Sequence, residues 1–205
     1  MSTVFALDPA TLDVRLETST LGSWRSLSLI AHSDNVAKGF WPPEGRNFGE
    51  IISLMHSEIA EAWEGWDVSP RPMDEKCPTY LNTFVEVADC AIRLLDTLSI
   101  YNSTCLDELN VDDYIEPDGK SVSAVDYVSK YRPMAENLRT VDSYLAAALE
   151  ADRKGHEDNR LAALEDAFMS CLAILKCHGQ NARTIIDSKM AYNVSRPYKH
   201  GKAFG

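Results

Sequence analysis

Apolar residues recur every three or four positions along most of this chain, and that spacing predicts helices rather than strands. The clearest case runs from Phe48 to about Trp66, where the apolar residues fall on one helical face: Phe48, Ile51, Ile52, Met55, Ile59, Ala62, Trp63 and Trp66. Asn47 directly precedes this stretch and is the expected N-cap. Because alternating strand patterns are scarce, the sequence predicts an all-α helical bundle.

Four further helices are predicted, at about 24–39, 79–101, 122–152 and 160–192. The proline-containing stretches "WPPEGRN" (41–47) and "DVSPRPMDEKCP" (67–78) separate the first three helices of the chain. The acidic segment 102–120 contains the turn signal "EPDGK" and is predicted to be a loop or insertion. We therefore expect residues 1–205 to form a single domain of about five helices, followed from 193 by a basic C-terminal tail.

Charge and composition exclude several classes of protein. A formal net charge of −11 argues against binding to nucleic acids or to anionic membranes. No apolar run approaches the roughly 20 residues of a membrane span, and the first residues lack the basic start of a signal peptide. The five cysteines show no CxxC spacing, which argues against a zinc site or a disulfide framework. These features favour a cytoplasmic protein.

Two pairs of acids stand three residues apart on neighbouring predicted helices. Glu58 and Glu61 lie at the edge of the apolar stripe, and Glu86 and Asp89 are placed on the polar side of the next helix. If the two helices pack antiparallel, the four carboxylates converge, and they cannot all stay ionised without a cation. Hard divalent ions such as Mg²⁺ and Mn²⁺ match this set of oxygen ligands.

Two other interpretations of these acids stay open. The same spacing is common on an ordinary acidic surface, where Arg93 would pair with Asp89 in a bridge of less than about 1 kcal/mol. A di-iron bundle would also use paired acids, but it needs Glu-x-x-His motifs on two helices, and the sequence has none. Spacing alone does not decide between a metal site and a solvated face.

The end of the chain reverses the sign of the charge. No acid follows Asp187, and the last residues carry groups suited to phosphate: Lys189, Asn193, Arg196, Lys199 and Lys202. Terminal segments are often solvated and frayed, which is the alternative interpretation. Paired with the carboxylates, the tail fits phosphoryl transfer, in which one group of residues holds cations and another holds phosphates.

The motifs "LMHSEIAEAWEGW" and "EVADCAIRLLD" resemble the ExxE…ExxD signature of the MazG-like nucleoside triphosphate pyrophosphohydrolases, an all-α superfamily. "AKGFWPPEGRNFGE" is similar to the stretch that leads into their metal-binding helix. "KMAYNVSRPYKHGKAF" resembles the tail of phage and bacterial members. The resemblance covers about residues 24–101 and 160–205, and no motif covers 102–159.

The resemblance implies hydrolysis of a nucleoside triphosphate to a monophosphate and pyrophosphate with Mg²⁺ or Mn²⁺, in a bacterial or phage-infected cytosol. It implies that Glu58, Glu61, Glu86 and Asp89 are metal ligands. Bound metal would make a water nucleophilic, and Glu61 is our candidate among the glutamates for orienting that water. The implied phosphate contacts are Lys189, Asn193, Arg196, Lys199 and Lys202. Many members carry a further Glu where this chain has Ser57. The family also implies a homodimer or homotetramer.

Base recognition is the least constrained part of the prediction. Aromatic rings stack on nucleobases, which makes Trp41 and Trp66 candidates, with His32 as a hydrogen-bonding partner. Core packing of Trp66 and a structural role for His32 are the alternatives. The phage-like tail favours deoxynucleotides, with purine nucleotides such as dGTP as the first candidates. A catalytically silent helical interaction protein on the same scaffold is the alternative to an enzyme.

Overall fold

The computed structural model describes residues 4–5, 23–101, 103, 105–108, 128 and 131–197. Within this part of the chain there are seven helices and one short antiparallel ladder, so the all-α prediction is confirmed. The helices are α1 (Trp24–Ala37), α2 (Phe48–Asp67), α3 (Asn82–Ile100), α4 (Cys105–Glu108), α5 (Met134–Lys154), α6 (Glu157–Cys177) and α7 (Ala182–Ser195). The ladder pairs β1 (Val4–Phe5) with β2 (Arg46–Asn47).

Helix α3 is the centre of the bundle. It packs against α1, α2, α6 and α7, and fifteen of its nineteen residues are buried. Glu86 is one of them, with 3% of its surface exposed, so its predicted place on a polar side is wrong. The sequence pattern did not reveal this because a helix surrounded on all sides has no solvated face. Any polar group on α3 must therefore find a partner inside the protein.

Local signals explain where several helices begin. Asn47 caps α2 as predicted, since its side-chain oxygen accepts a hydrogen bond from the Glu50 N–H at 3.3 Å. Helix α5 begins at Met134, directly after Pro133, and not near residue 122; residues 122–127 lie outside the described part of the chain. The predicted loop 102–120 also lies mostly outside it, apart from Ser103 and the single helical turn of α4.

The predicted helix 160–192 is two helices. Helix α6 ends at Cys177, and Gly179 adopts a left-handed conformation with φ of +74°. Asn181 then caps α7 by accepting a hydrogen bond from the Thr184 N–H at 3.0 Å. The apolar spacing continues across this break, which is why periodicity alone joined the two helices. The turn lets α7 pack against α3.

The apolar stripe of α2 is mostly confirmed, with one exception at its end. Trp63 is 38% exposed and does not belong to the core, whereas Gly65 is buried. A Cβ atom at Gly65 would lie 3.1 Å from the backbone nitrogen of Thr83, so α2 and α3 approach each other closely here. Among the described helices, none combines the length and the apolar character needed to cross a membrane.

Candidate functional site

Three of the four predicted acidic ligands meet between α2 and α3. Gly65 lies against Thr83 and Glu58 contacts Arg93, so the two helices run antiparallel, as the metal-site prediction requires. One carboxylate oxygen from each of Glu58, Glu86 and Asp89 lies within 4.8 Å of the other two. We call these three residues the acid cluster. Glu58 and Glu86 are buried, and Asp89 is half-buried.

Two cations balance part of this charge. Arg93 donates hydrogen bonds to Oε1 of Glu58, from Nε at 2.8 Å and from Nη2 at 2.6 Å. The surface bridge considered between Arg93 and Asp89 is therefore formed with Glu58 instead. Lys189 reaches in from α7, and its Nζ lies 2.7 Å from Oδ2 of Asp89. Because three carboxylates face two cations, the acid cluster retains a negative charge when all five groups are ionised.

Burial disfavours the charged form of the carboxylates in the acid cluster. It is the main reason why the pKa of Glu58 is raised to about 7; Arg93 opposes the shift, and the charges of Asp89 and Glu61 add to it. Burial likewise raises the pKa of Glu86, although a hydrogen bond from Asn82 opposes the shift. Lys189 differs, because Asp89 and Glu86 outweigh its burial and raise its pKa, so it stays charged.

One carboxylate oxygen of the acid cluster has no hydrogen-bond partner among the described residues. Asn82 donates to Oε1 of Glu86 at 3.0 Å, but Oε2 of Glu86 is buried and has no hydrogen-bond partner in the described part of the protein. An unsatisfied buried oxygen is costly and calls for an explanation, such as an ion. Three carboxylates with a free oxygen fit a hard divalent cation such as Mg²⁺ or Mn²⁺.

A cleft of about 1100 Å³ opens beside the acid cluster. Glu58 and Asp89 line it, and so does Glu61, which is exposed and stands outside the acid cluster. Asn193 and Arg196 of α7 line the same cleft, as the phosphate-binding prediction requires. The remaining predicted phosphate contacts behave differently: Lys189 is only 1% exposed against Asp89, and Lys199 and Lys202 lie outside the described residues.

Two of the three predicted base-binding residues come together, and the third lies apart from them. His32 and Trp41 are both buried at one carboxylate, that of Asp96: Nδ1 of His32 lies 2.7 Å from Oδ1, and Nε1 of Trp41 lies 3.0 Å from it. Trp66 lies elsewhere, against Phe84, with the guanidinium of Arg71 3.6 Å from its ring centre. It lines a separate hollow of about 520 Å³, so its geometry is that of the packing alternative.

Sequence reasoning missed two residues at the cleft. Asp96 stands in the apolar run "LLDTL", and a lone acid inside such a run is the signal that was available. Lys38 was missed because its partners are backbone atoms that no side-chain pattern shows. Its Nζ donates to the carbonyl oxygen of Val194 at 2.8 Å and to that of Arg196, across the cleft from α1 to the end of α7.

The chain matches no protein-family model, no curated protein and no solved structure. The resemblance to the MazG-like enzymes therefore stays a prediction. The case for a function rests on the chemistry of the acid cluster and of the cleft beside it.

Proposed function

We propose that this protein is a metal-dependent nucleoside triphosphate pyrophosphohydrolase that converts a (d)NTP to a (d)NMP and pyrophosphate. The acid cluster carries the proposal, because its three carboxylates converge from two helices and leave Oε2 of Glu86 buried without a partner. The cleft beside it supplies the second half of a phosphoryl-transfer site, since Asn193 and Arg196 face the same space.

In the proposed reaction, water attacks one phosphorus atom of the α–β anhydride, and the bond from that phosphorus to the bridging oxygen breaks. Glu61, exposed on the cleft wall, accepts the proton of the water, and the broken anhydride gives the (d)NMP and pyrophosphate. Arg196 and Asn193 hold the phosphates by charge and hydrogen bonding. Mg²⁺ or Mn²⁺ held by Glu58, Glu86 and Asp89 would lower the pKa of the water and neutralise phosphate charge.

A second candidate function has its own observation. Arg93 and Lys189 already pair with Glu58 and Asp89, as cations do in a structural ion-pair network. On this reading the acid cluster fixes helix packing, and the protein is a catalytically silent helical interaction protein. The two candidates differ in what they require of Glu61 and Glu86, and each difference is measurable.

Activity is tested by incubating the protein with each of the eight common nucleotides and Mg²⁺ or Mn²⁺, and by measuring pyrophosphate. We expect at least one nucleotide to be cleaved, and we expect Glu61→Gln to lower turnover by about 100-fold or more, as loss of a positioned general base does. Glu64→Gln is the matched control, because Glu64 is exposed on the same helix but does not line the cleft. Release of single phosphates, or no release at all, would overturn the proposal.

Metal binding is tested separately from turnover by thermal unfolding. Mn²⁺ at about 100 times its Kd should stabilise the folded protein by about 2.7 kcal/mol. For a chain of this size that corresponds to a rise in Tm of about 5–10 °C. Glu86→Gln should abolish most of this rise, whereas Glu64→Gln should preserve it. An equal rise in both variants would favour the structural ion-pair network.

A further inference from the structure

The guanidinium of Arg46 differs from the other buried cations of the protein. Arg46 is half-buried in β2 and lines the cleft. Arg93, Lys189 and Arg160 each have a carboxylate at 2.7 Å or closer. By contrast, Arg46 has no carboxylate oxygen of a described residue within 4.0 Å, the distance limit for an ion pair. A guanidinium removed from water without a partner is unfavourable, so its place in the wall of a cleft indicates a ligand.

The surroundings of Arg46 hold it in place without using its hydrogen-bond donors. Its guanidinium carbon lies 5.6 Å from the ring centre of Trp41, within range of a cation–π contact. Trp41 is itself fixed, because its indole N–H donates to both oxygens of Asp96, at 3.0 and 3.1 Å. Burial lowers the pKa of Arg46, and the charge of Asp96 opposes that shift. Arg46 therefore lines the cleft with a permanently charged fork of five N–H donors, for which the described residues supply no side-chain acceptor.

The position of Arg46 along the cleft identifies which part of a nucleotide it meets. On α3, Asp89 of the acid cluster and Asp96 beside Trp41 are seven residues apart, or about 10 Å along the axis. A triphosphate held at the acid cluster would therefore extend its nucleoside toward Arg46.

Resting on the proposed function, we propose that Arg46 is a specificity-determining residue that reads the edge of a nucleobase with two adjacent acceptors. Guanine offers this edge in O6 and N7, the pair to which arginine binds through two parallel hydrogen bonds. Adenine presents a donor beside N7, and cytosine presents a donor at N4, so both place an N–H against the fork. The substrate class assigned here is the 6-oxopurine nucleoside triphosphates.

The test compares kcat/KM for dGTP, dITP, dATP and 7-deaza-dGTP in the parent protein and in Arg46→Gln. We expect the parent to prefer dGTP and dITP over dATP, and 7-deaza-dGTP, which lacks N7, to be a poorer substrate than dGTP. Arg46→Gln should lower kcat/KM for dGTP and dITP by about 10- to 100-fold, the range for losing a bidentate contact, and change dATP less than about twofold. Arg139→Gln, an exposed arginine outside the cleft, is the matched control.

Arg46→Lys keeps the charge but cannot form the fork, so it should lose the preference for guanine while remaining folded. An equal loss for all four nucleotides in Arg46→Gln would mean that Arg46 holds phosphate and would overturn the proposal. So would a parent protein that prefers dATP or a pyrimidine nucleotide.

Calorimetric binding of dGMP and dAMP without metal separates this inference from the proposed function. A preference for dGMP that depends on Arg46, without any hydrolysis, would support the inference about Arg46 and contradict the proposed enzymatic function. Hydrolysis without a preference among bases would do the reverse. If the parent protein binds dGMP no better than dAMP, the inference fails whatever the activity.

Discussion

Two regions of α3, one at Asp89 and one at Asp96, solve the problem of a buried acid in different ways. The carboxylate of Asp96 accepts hydrogen bonds from Asn35 at 2.7 Å and from Trp41, and it also pairs with His32. The acid cluster two turns away uses charged partners, and it still leaves Oε2 of Glu86 without one.

Under the proposed function, the difference separates a structural acid from the acids that would bind a metal. An acid whose oxygens are all engaged by fixed donors gains nothing from a ligand, and it holds α1, α3 and the turn after α1 together. The acid cluster sets three carboxylates against two cations and leaves Oε2 of Glu86 without a partner among the described residues, which under the proposed function would give it an affinity for a cation at a cost in the metal-free protein.

The largest expected effect is on stability at Asp96. Asp96→Leu would leave the buried indole N–H of Trp41 and the buried Nδ1 of His32 without their partner, so we expect a loss of about 3–5 kcal/mol in the free energy of unfolding. The matched change in the acid cluster, Glu86→Gln, should cost less than about 1 kcal/mol without metal, because it removes an acid that is short of partners. Urea unfolding of both variants measures this. Similar losses at the two sites would erase the contrast.

A smaller effect is expected in the pH dependence of metal-free stability. The pKa of Glu58 rises from 4.5 to about 7 on folding, mainly because of burial, so the folded protein binds more protons than the unfolded chain between these values. This contribution to stability is complete below pH 4.5 and is lost as the pH rises through 7. Glu58→Gln, which does not titrate, should therefore show a flatter dependence between pH 5 and 7.5.

Urea unfolding at several pH values compares the slopes of the parent protein and Glu58→Gln, with Glu64→Gln as the control. Equal slopes in the parent and in Glu58→Gln would mean that Arg93 keeps Glu58 ionised and that the acid cluster resembles a conventional ion pair. Saturating Mn²⁺ should reverse the slope of the parent, because the cation binds only the ionised carboxylates.

The smallest expected effect concerns Lys38. Its ammonium group lies at the carboxyl end of α7 and donates to two carbonyl oxygens there, a contact worth about 0.3–1 kcal/mol. Lys38→Met should accelerate amide hydrogen exchange in the last turn of α7, which carries Asn193, and leave the exchange of α3 unchanged. Unchanged exchange in α7 would show that packing alone holds the end of this helix. Lys154→Met, on the exposed face of α5, is the control.

Much of the fold was predictable from local signals, and the errors share one physical cause. The stripe of α2, the cap at Asn47 and the all-α class follow from spacing and capping chemistry that act within a few residues. The break after Cys177 was not predicted, because the apolar spacing persists across it and only Gly179 and the cap Asn181 mark it. Local patterns thus locate helices better than they locate the turns between them.

The site was predictable in its acids and not in its partners. The spacing of Glu58, Glu86 and Asp89 indicated convergence, since antiparallel helices bring such positions together. The pairing of Arg93 with Glu58 and the burial of Lys189 depend on how three helices meet, which a single sequence does not encode in any short motif. The same holds for Arg46, which has no ion-pair partner among the described residues.

Gly65 affects the geometry of the acid cluster from a distance, because it sets how closely α2 and α3 pack. Its missing side chain lets α2 come so near to α3 that an added methyl group would press on Thr83. Because α2 and α3 touch at this point, the distance between their axes is fixed for a short way along both helices. Glu58 lies only two helical turns from the contact. Under the proposed function, the close approach at Gly65 would also set the spacing between the carboxylates of α2 and α3, and with it the size of cation that fits between them.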